Sequence, residues 1–276
     1  DDVYVEDNST LELEKLSASI TGKEAALLVS SGTMGNLICN LVHCSRGTEV
    51  IMGDKSHTFI YESGGISSYG GIHSHQLKNN VDGTIDINDI KEAIRIDDVH
   101  FPRTSLVCIE NTHNKCHGFP LELDYINLVC NTAHENNIKV HMDGARLFNA
   151  CAALALKADT ILENIDSVTF CLSKGLSAPI GSMICGSSEF IAEARRIRKS
   201  LGGGMRQTGI IAAPGIISLN SMIDRLKEDH LNAKHLADSL SKLEGIELNP
   251  DFVKTNIIFF NFNHSSISSS ELVSHM

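Results

Sequence analysis

Six short apolar runs recur along the chain: "AALLVS", "EVIMG", "SLVCIEN", "IKVHMDG", "SVTFCLS" and "GSMICG". Each has the length of a strand. Helix-patterned stretches such as "DINDIKEAIR" and "LDYINLVCNTAHENN" separate several of them. Near-continuous apolar strands are buried on both faces, and alternation with helices builds a parallel sheet through crossover connections. The expectation is an α/β fold with a mostly parallel sheet flanked by helices. Ser9 and Glu12 have the spacing of a capping box ahead of Leu13, Leu16 and Ile20, and that helix should end at Gly22. His73 and His75 read as strand residues. From about Ser187 the pattern turns helical as far as about Leu243, and "TNIIFFNF" reads as one later strand. A domain change falls near residues 222 to 230, which divides the chain into residues 1–224 and an incomplete α+β part, residues 225–276.

The 276 residues are enough for one large α/β domain and part of another. A net charge of −11 argues against a nucleic-acid groove as the main role. No apolar run reaches the roughly 20 residues that span a bilayer. The eight cysteines include no C-x-x-C pair, and several sit in apolar runs. They read as reduced core thiols of a cytoplasmic protein. The chain starts at Asp1 without Met, and a capping box at Ser268 and Glu271 opens a helix just before it stops. Both ends read as cuts in a longer protein.

Open parallel sheets bind ligands at the carboxyl ends of their strands, so the polar residues there are the candidates. "LLVSSGTMGN" runs from a strand into Ser31, Gly32 and Thr33 and then a helix. A helix N-terminus offers free N–H groups to a phosphate, and a plain N-cap is the alternative. "IKVHMDGARLF" ends a strand at Asp143, with Arg146 nearby. The acid suits a pyridinium nitrogen and the guanidinium suits a carboxylate, unless the two simply pair and close a turn. Lys174 follows "SVTFCLS" thirty-one positions after Asp143. It fits an amine that bonds a carbonyl covalently, or a lysine snorkelling from the rim. His57 in "GDKSHTFIYESGG" and His113 in "ENTHN" stand at other strand ends. With thirteen histidines, most are surface or satisfied core groups. "LGGGMRQTG" is a tightly turned loop carrying Arg206. No histidine set has convincing metal-ligand spacing. Phosphate loop, His, Asp with Arg, then Lys is the order expected of a pyridoxal-phosphate enzyme of the aspartate-aminotransferase-like fold.

"SSGTMGN", "SHTFIYE", "HFPRTSLVCIENTHN", "HMDGARLFNA", "FCLSKGLSAPIGS" and "LGGGMRQTG" together resemble the low-specificity L-threonine aldolases, from about Asp1 to about Asn256. The resemblance implies fold type I with a seven-stranded sheet. It implies pyridoxal 5'-phosphate as cofactor and cleavage of L-threonine or L-allo-threonine to glycine and acetaldehyde. Carried over by motif, Lys174 would bind the cofactor covalently, Asp143 would pair with its ring nitrogen and His57 would stack on its ring. Gly32 and Thr33 would hold its phosphate, and Arg206 would reach that phosphate from a neighbouring subunit. Arg146 would hold the substrate carboxylate, and His113 would lie near the substrate hydroxyl. The base is His57, His113 or a held water. The family implies a homotetramer, with no nucleic acid or membrane partner. A serine and a second arginine that family members place at the substrate carboxylate lie outside these residues. Two alternatives are a truncated homologue without activity and a related β-eliminating lyase or alanine-racemase-like enzyme. "HMDGARLF" and "GGGMRQ" speak against the latter.

Overall fold

The structure, a computed structural model, describes residues 1–264 and 266–275. Its strands are β1 (Ala25–Val29), β2 (Glu49–Gly53), β3 (His73–Leu77), β4 (Thr104–Glu110), β5 (Lys139–Asp143), β6 (Ser167–Cys171), β7 (Ser182–Gly186), β8 (Ile246–Glu247) and β9 (Asn261–Phe262). Its helices are α1 (Asn8–Thr21), α2 (Gly32–His43), α3 (His57–Ile60), α4 (Gly65–Gly70), α5 (Ile87–Ala93), α6 (Leu123–His134), α7 (Leu147–Leu154), α8 (Ala158–Ile161), α9 (Ser188–Ser200), α10 (Gly209–Ser221), α11 (Leu226–Leu240) and α12 (Ser269–His275).

Seven strands form one sheet in the order β1-β7-β6-β5-β4-β2-β3. All neighbours run parallel except β7, which is antiparallel to β1 and β6. A parallel return needs a long crossover, whereas an antiparallel one needs only a loop. The segment from Leu172 to Gly181 is such a loop, and it holds Lys174 beyond the carboxyl end of β6. Every residue of β2, β6 and β7 is buried, as strands covered on both faces require. The larger core includes Leu13, Phe148, Phe170 and Leu172, and two smaller clusters include Ile38 with Ile184 and Val50 with Leu106. All eight cysteines are free and buried. Among the described residues, no helix is long and apolar enough to cross a membrane.

Two local expectations are corrected. Helix α1 is capped by Asp7, whose carboxylate accepts from the Thr10 N–H at 2.9 Å, so Ser9 already lies inside the helix. An anionic cap is favoured there by the helix dipole. Gly22 ends α1 in the left-handed conformation, as expected. Helix α2 begins at Gly32 with Ser31 as its cap, where a helix N-terminus was expected. Most of "TNIIFFNF" is not strand: only Asn261 and Phe262 pair, with β8. A strand exists only where a neighbour satisfies its backbone, and among the described residues of this segment only Asn261 and Phe262 have one. The capping box at Ser268 and Glu271 forms in both directions, at 3.2 Å to Ser268 Oγ and 2.8 Å to Glu271 Oε2.

Helix α2 lies close against β6. A Cβ on Gly35 would sit 2.6 Å from Thr169 Cγ2. Gly35→Ala is therefore expected to destabilise the protein by about 1–3 kcal/mol through overpacking, measured by urea unfolding.

Candidate active site

The carboxyl ends of β1, β2, β4, β5 and β6 share one edge of the sheet, and a cavity of about 370 Å³ opens there. Ser31, Gly32, Thr33, His57, Asp143, Arg146 and Lys174 line it, together with Asn36, Glu62, Glu110 and Cys171. Residues from five separate sequence motifs thus meet in one place. Ser31 caps α2, its hydroxyl accepting from the Met34 N–H at 3.2 Å. The Gly32 and Thr33 N–H groups precede the first possible intrahelical donor, so they are free for an anion. Gly32 is tight as well, since a Cβ there would lie 3.0 Å from Cys171 Sγ.

Lys174 is exposed at the lip, and its ammonium has no hydrogen bond or ion pair among the described residues. The same holds for the Arg146 guanidinium, so the Asp143–Arg146 pair that would merely close a turn does not form. Asp143 is buried at the end of β5. Its Oδ2 accepts from Asn36 Nδ2 at 2.8 Å and its Oδ1 from the Ala145 N–H at 3.1 Å. Glu110, its register partner on β4, accepts from the His57 N–H at 2.8 Å and the Asn114 N–H at 2.9 Å. Burial, and then the nearby Asp143 carboxylate, push the Glu110 pKa up to about 7. Glu62 accepts from Asn36 Nδ2 at 2.9 Å and lies 3.0 Å from His57 Nδ1. Burial raises the Glu62 pKa, and the bond to Glu62 raises that of His57. Three carboxyl groups thus face one cavity, which favours a cationic group within it and leaves a binding place for an anion at the α2 terminus.

Two candidates lie elsewhere. His113 is 1% exposed, packs against Gly83 and does not line the cavity; its Nε2 is 3.9 Å from Glu110 Oε2. Both ring nitrogens lack hydrogen-bond partners, so this histidine departs from the satisfied core group expected of most. Arg206 pairs with Asp1 at 2.6 Å and lies over the Tyr4 ring at 5.2 Å, away from the cavity of its own chain. Asn36, Glu62 and Glu110 were not anticipated. The available signal was a polar stripe on α2, where Asn36, Asn40 and His43 recur at helical spacing on the side that meets the sheet.

Two buried histidines, His113 and His141, and the half-buried His43 make stability pH-dependent. Burial lowers His43 and His113 to about 4 and His141 to about 3. Their folded pKa values lie below the unfolded value, so their contribution is present above about pH 6.5 and is lost as pH falls toward 3 to 4. Each costs about 1.4 kcal/mol per pH unit inside that window. Glu110 opposes them between its ordinary 4.5 and about 7. The expected net result is lower stability at pH 5 than at pH 7.5, read from urea midpoints. Equal midpoints would contradict it.

Comparison with known proteins gives a consistent answer. The beta-eliminating lyase family model matches residues 1–263. The low-specificity L-threonine aldolase 1 of Arabidopsis thaliana is 46% identical over 274 residues, covering 98% of this chain and 76% of its own length. The low specificity L-threonine aldolase of Escherichia coli K12 is 40% identical over 259 residues, covering 94% of this chain and 76% of its own. A solved threonine aldolase from Leishmania major shares the fold at a TM-score of 0.76 and 20% identity, over 89% of this chain and 72% of that one.

Proposed function

The chain belongs to the beta-eliminating lyase family, among the low-specificity L-threonine aldolases, and on that premise we propose that it cleaves L-threonine and L-allo-threonine to glycine and acetaldehyde with pyridoxal 5'-phosphate. The observation that carries the reading is the one cavity that gathers a partnerless lysine, a buried strand-end aspartate, a histidine and a free helix N-terminus.

The donor set fits this cofactor. The Gly32 and Thr33 N–H groups and the Thr33 hydroxyl would bind its phosphate. Asp143 would hold its ring nitrogen protonated, His57 would lie against its ring, and Lys174 would bind its aldehyde carbon covalently. When bound, the cofactor supplies a sink for the electron pair left on Cα. Arg146 would grip the substrate carboxylate as a planar fork and fix the Cα–Cβ bond for cleavage. His57 lines the cavity and has one ring nitrogen held by Glu62. We assign its other nitrogen to the β-hydroxyl proton, with a held water as the alternative carrier and His113 as the more remote one. Loss of that proton breaks Cα–Cβ and releases acetaldehyde, and a proton returned to Cα leaves glycine. Arg206 would serve the phosphate of a neighbouring subunit in a homotetramer. Residues 1–224 form the cofactor domain in this reading and residues 225–276 part of a second one. The buried reduced thiols support a cytoplasmic setting.

The test is direct. Pyridoxal phosphate added to the purified chain should give a yellow absorption band, and L-threonine should then release acetaldehyde. A band without acetaldehyde would favour the non-catalytic homologue, and no band would sink the cofactor assignment.

A further inference from the structure

A line of polar side chains runs beneath the cavity, between α2 and the sheet. His141 lies two residues before Asp143 on β5, so both side chains share the sheet face that α2 covers. His141 is 1% exposed, Asn36 1% and Ser167 0%. His141 Nε2 is 3.2 Å from Asn36 Oδ1, and its Nδ1 is 2.9 Å from Ser167 Oγ. Ser167 Oγ is also 2.8 Å from Nε2 of His43, in the last turn of α2. Nothing in the proposed reaction uses His141, Ser167 or His43.

The chemistry of each group sets the direction of these bonds. Asn36 Nδ2 faces two carboxyl groups, Asp143 at 2.8 Å and Glu62 at 2.9 Å, and both of its hydrogens are used there. Turning the amide over would aim its carbonyl oxygen at both acids. With the amide in this sense, Oδ1 can only accept, so Nε2 of His141 must carry the hydrogen. Nδ1 of the neutral ring then accepts from the Ser167 hydroxyl, and that hydroxyl takes its own bond from His43 Nε2–H. One contact competes: the Ser167 carbonyl oxygen lies 3.1 Å from Nδ1 and would prefer a hydrogen there. The two carboxyl groups at the other end of the line outweigh it.

We propose that His141 is a positioning residue that acts through Asn36: held as the Nε2–H tautomer by Ser167, it locks the Asn36 amide so that both N–H bonds point at Asp143 and Glu62. The role rests on the proposed cofactor site, because its purpose is to hold Asp143 aligned for the ring nitrogen and Glu62 aligned for His57. The relay is polarised along its whole length, from His43 through Ser167, His141 and Asn36 to the two acids.

The test separates this inference from the functional one. Long-range ¹H–¹⁵N spectra of the histidine side chains at pH 7, taken on the protein without added cofactor, read each tautomer directly. Nε2–H signatures for both His141 and His43 are expected; an Nδ1–H signature or a doubly protonated ring for His141 overturns the proposal whether or not the protein binds pyridoxal phosphate. The second measurement is pyridoxal phosphate affinity. His141→Leu, which removes the donor, should weaken it by about ten- to a hundredfold, and His141→Gln, which keeps a donor, should recover most of the loss. Equal affinity of the leucine variant and the wild type overturns the positioning role. If the wild type shows no absorption band at all, the functional reading fails and the tautomer spectra still decide this one.

Discussion

Lys174→Ala is expected to lose the absorption band of bound pyridoxal phosphate and to lower acetaldehyde release from threonine by on the order of 10²–10⁴-fold. The physical basis is the isolation of the amine. Lys174 sits in the short loop that reverses the chain between β6 and β7, exposed, and its ammonium has no hydrogen bond or ion pair among the described residues. An ammonium used to anchor structure would have a carboxylate beside it, as Lys139 has Asp166 at 2.8 Å. Because nothing in the fold leans on it, the variant should unfold within about 0.5 kcal/mol of the wild type. Loss of band with unchanged stability is therefore the diagnostic combination. A variant that keeps both band and turnover would show that the carbonyl is held elsewhere.

Asp143→Asn should cost on the order of 10²–10³-fold in turnover, as expected when a group aimed at developing charge is neutralised. It should also change the pH dependence of stability in a way that a simple loss of structure would not. Asp143 is the second cause, after burial, of the raised pKa of Glu110. A raised folded pKa gives stability that is fully present below about 4.5 and is lost as pH rises through about 7. Removing the Asp143 charge brings the Glu110 pKa back toward its ordinary value, so less is lost. Each unit of that return favours the variant by about 1.4 kcal/mol at pH 8 relative to pH 4.5. Urea unfolding of both proteins at these two pH values measures the difference. No pH-dependent difference would mean that the two carboxyl groups do not interact.

Particular residues show how far the sequence alone could be read. "IKVHMDG" and "SVTFCLS" were legible as strands because runs buried on both faces are mostly apolar, and their ends mark Asp143 and the loop of Lys174. Ser31 to Thr33 was legible because a small-residue turn ahead of a helix has a local geometry. "TNIIFFNF" misled because β-branched and aromatic content reports a fit to a sheet surface, and whether a neighbouring strand is there to complete it is not a local property. The placement of His113 was likewise not a local property. Its place after a strand was read correctly, but the backbone beyond β4 turns its ring toward Gly83 and away from the cavity.

The unread part of the site is the part made by packing. Glu62 follows His57 by five residues in "HTFIYES" with no local signal to mark it, yet it is 6% exposed and bonded to both His57 and Asn36. Asn36, Asn40 and His43 interrupt the apolar pattern of α2, and a polar residue on a core-facing stripe needs a partner there. Besides Glu62, their partners include Cys108 on β4, His141 and Asp143 on β5 and Ser167 on β6, 68 to 124 residues away in the chain. By itself the sequence determined the alternation of strands and helices, the edge of the sheet where polar residues collect, and the residue types able to hold a phosphate, a ring nitrogen and a carbonyl. Those follow from periodicity and from end groups, which are local. Only the tertiary structure decided which acids share the cavity, that the Lys174 and Arg146 side chains stand without partners among the described residues, and that His141 bonds Asn36, which bonds Asp143. Those depend on distances between segments remote in sequence, which arise only when α2 is laid across the strands.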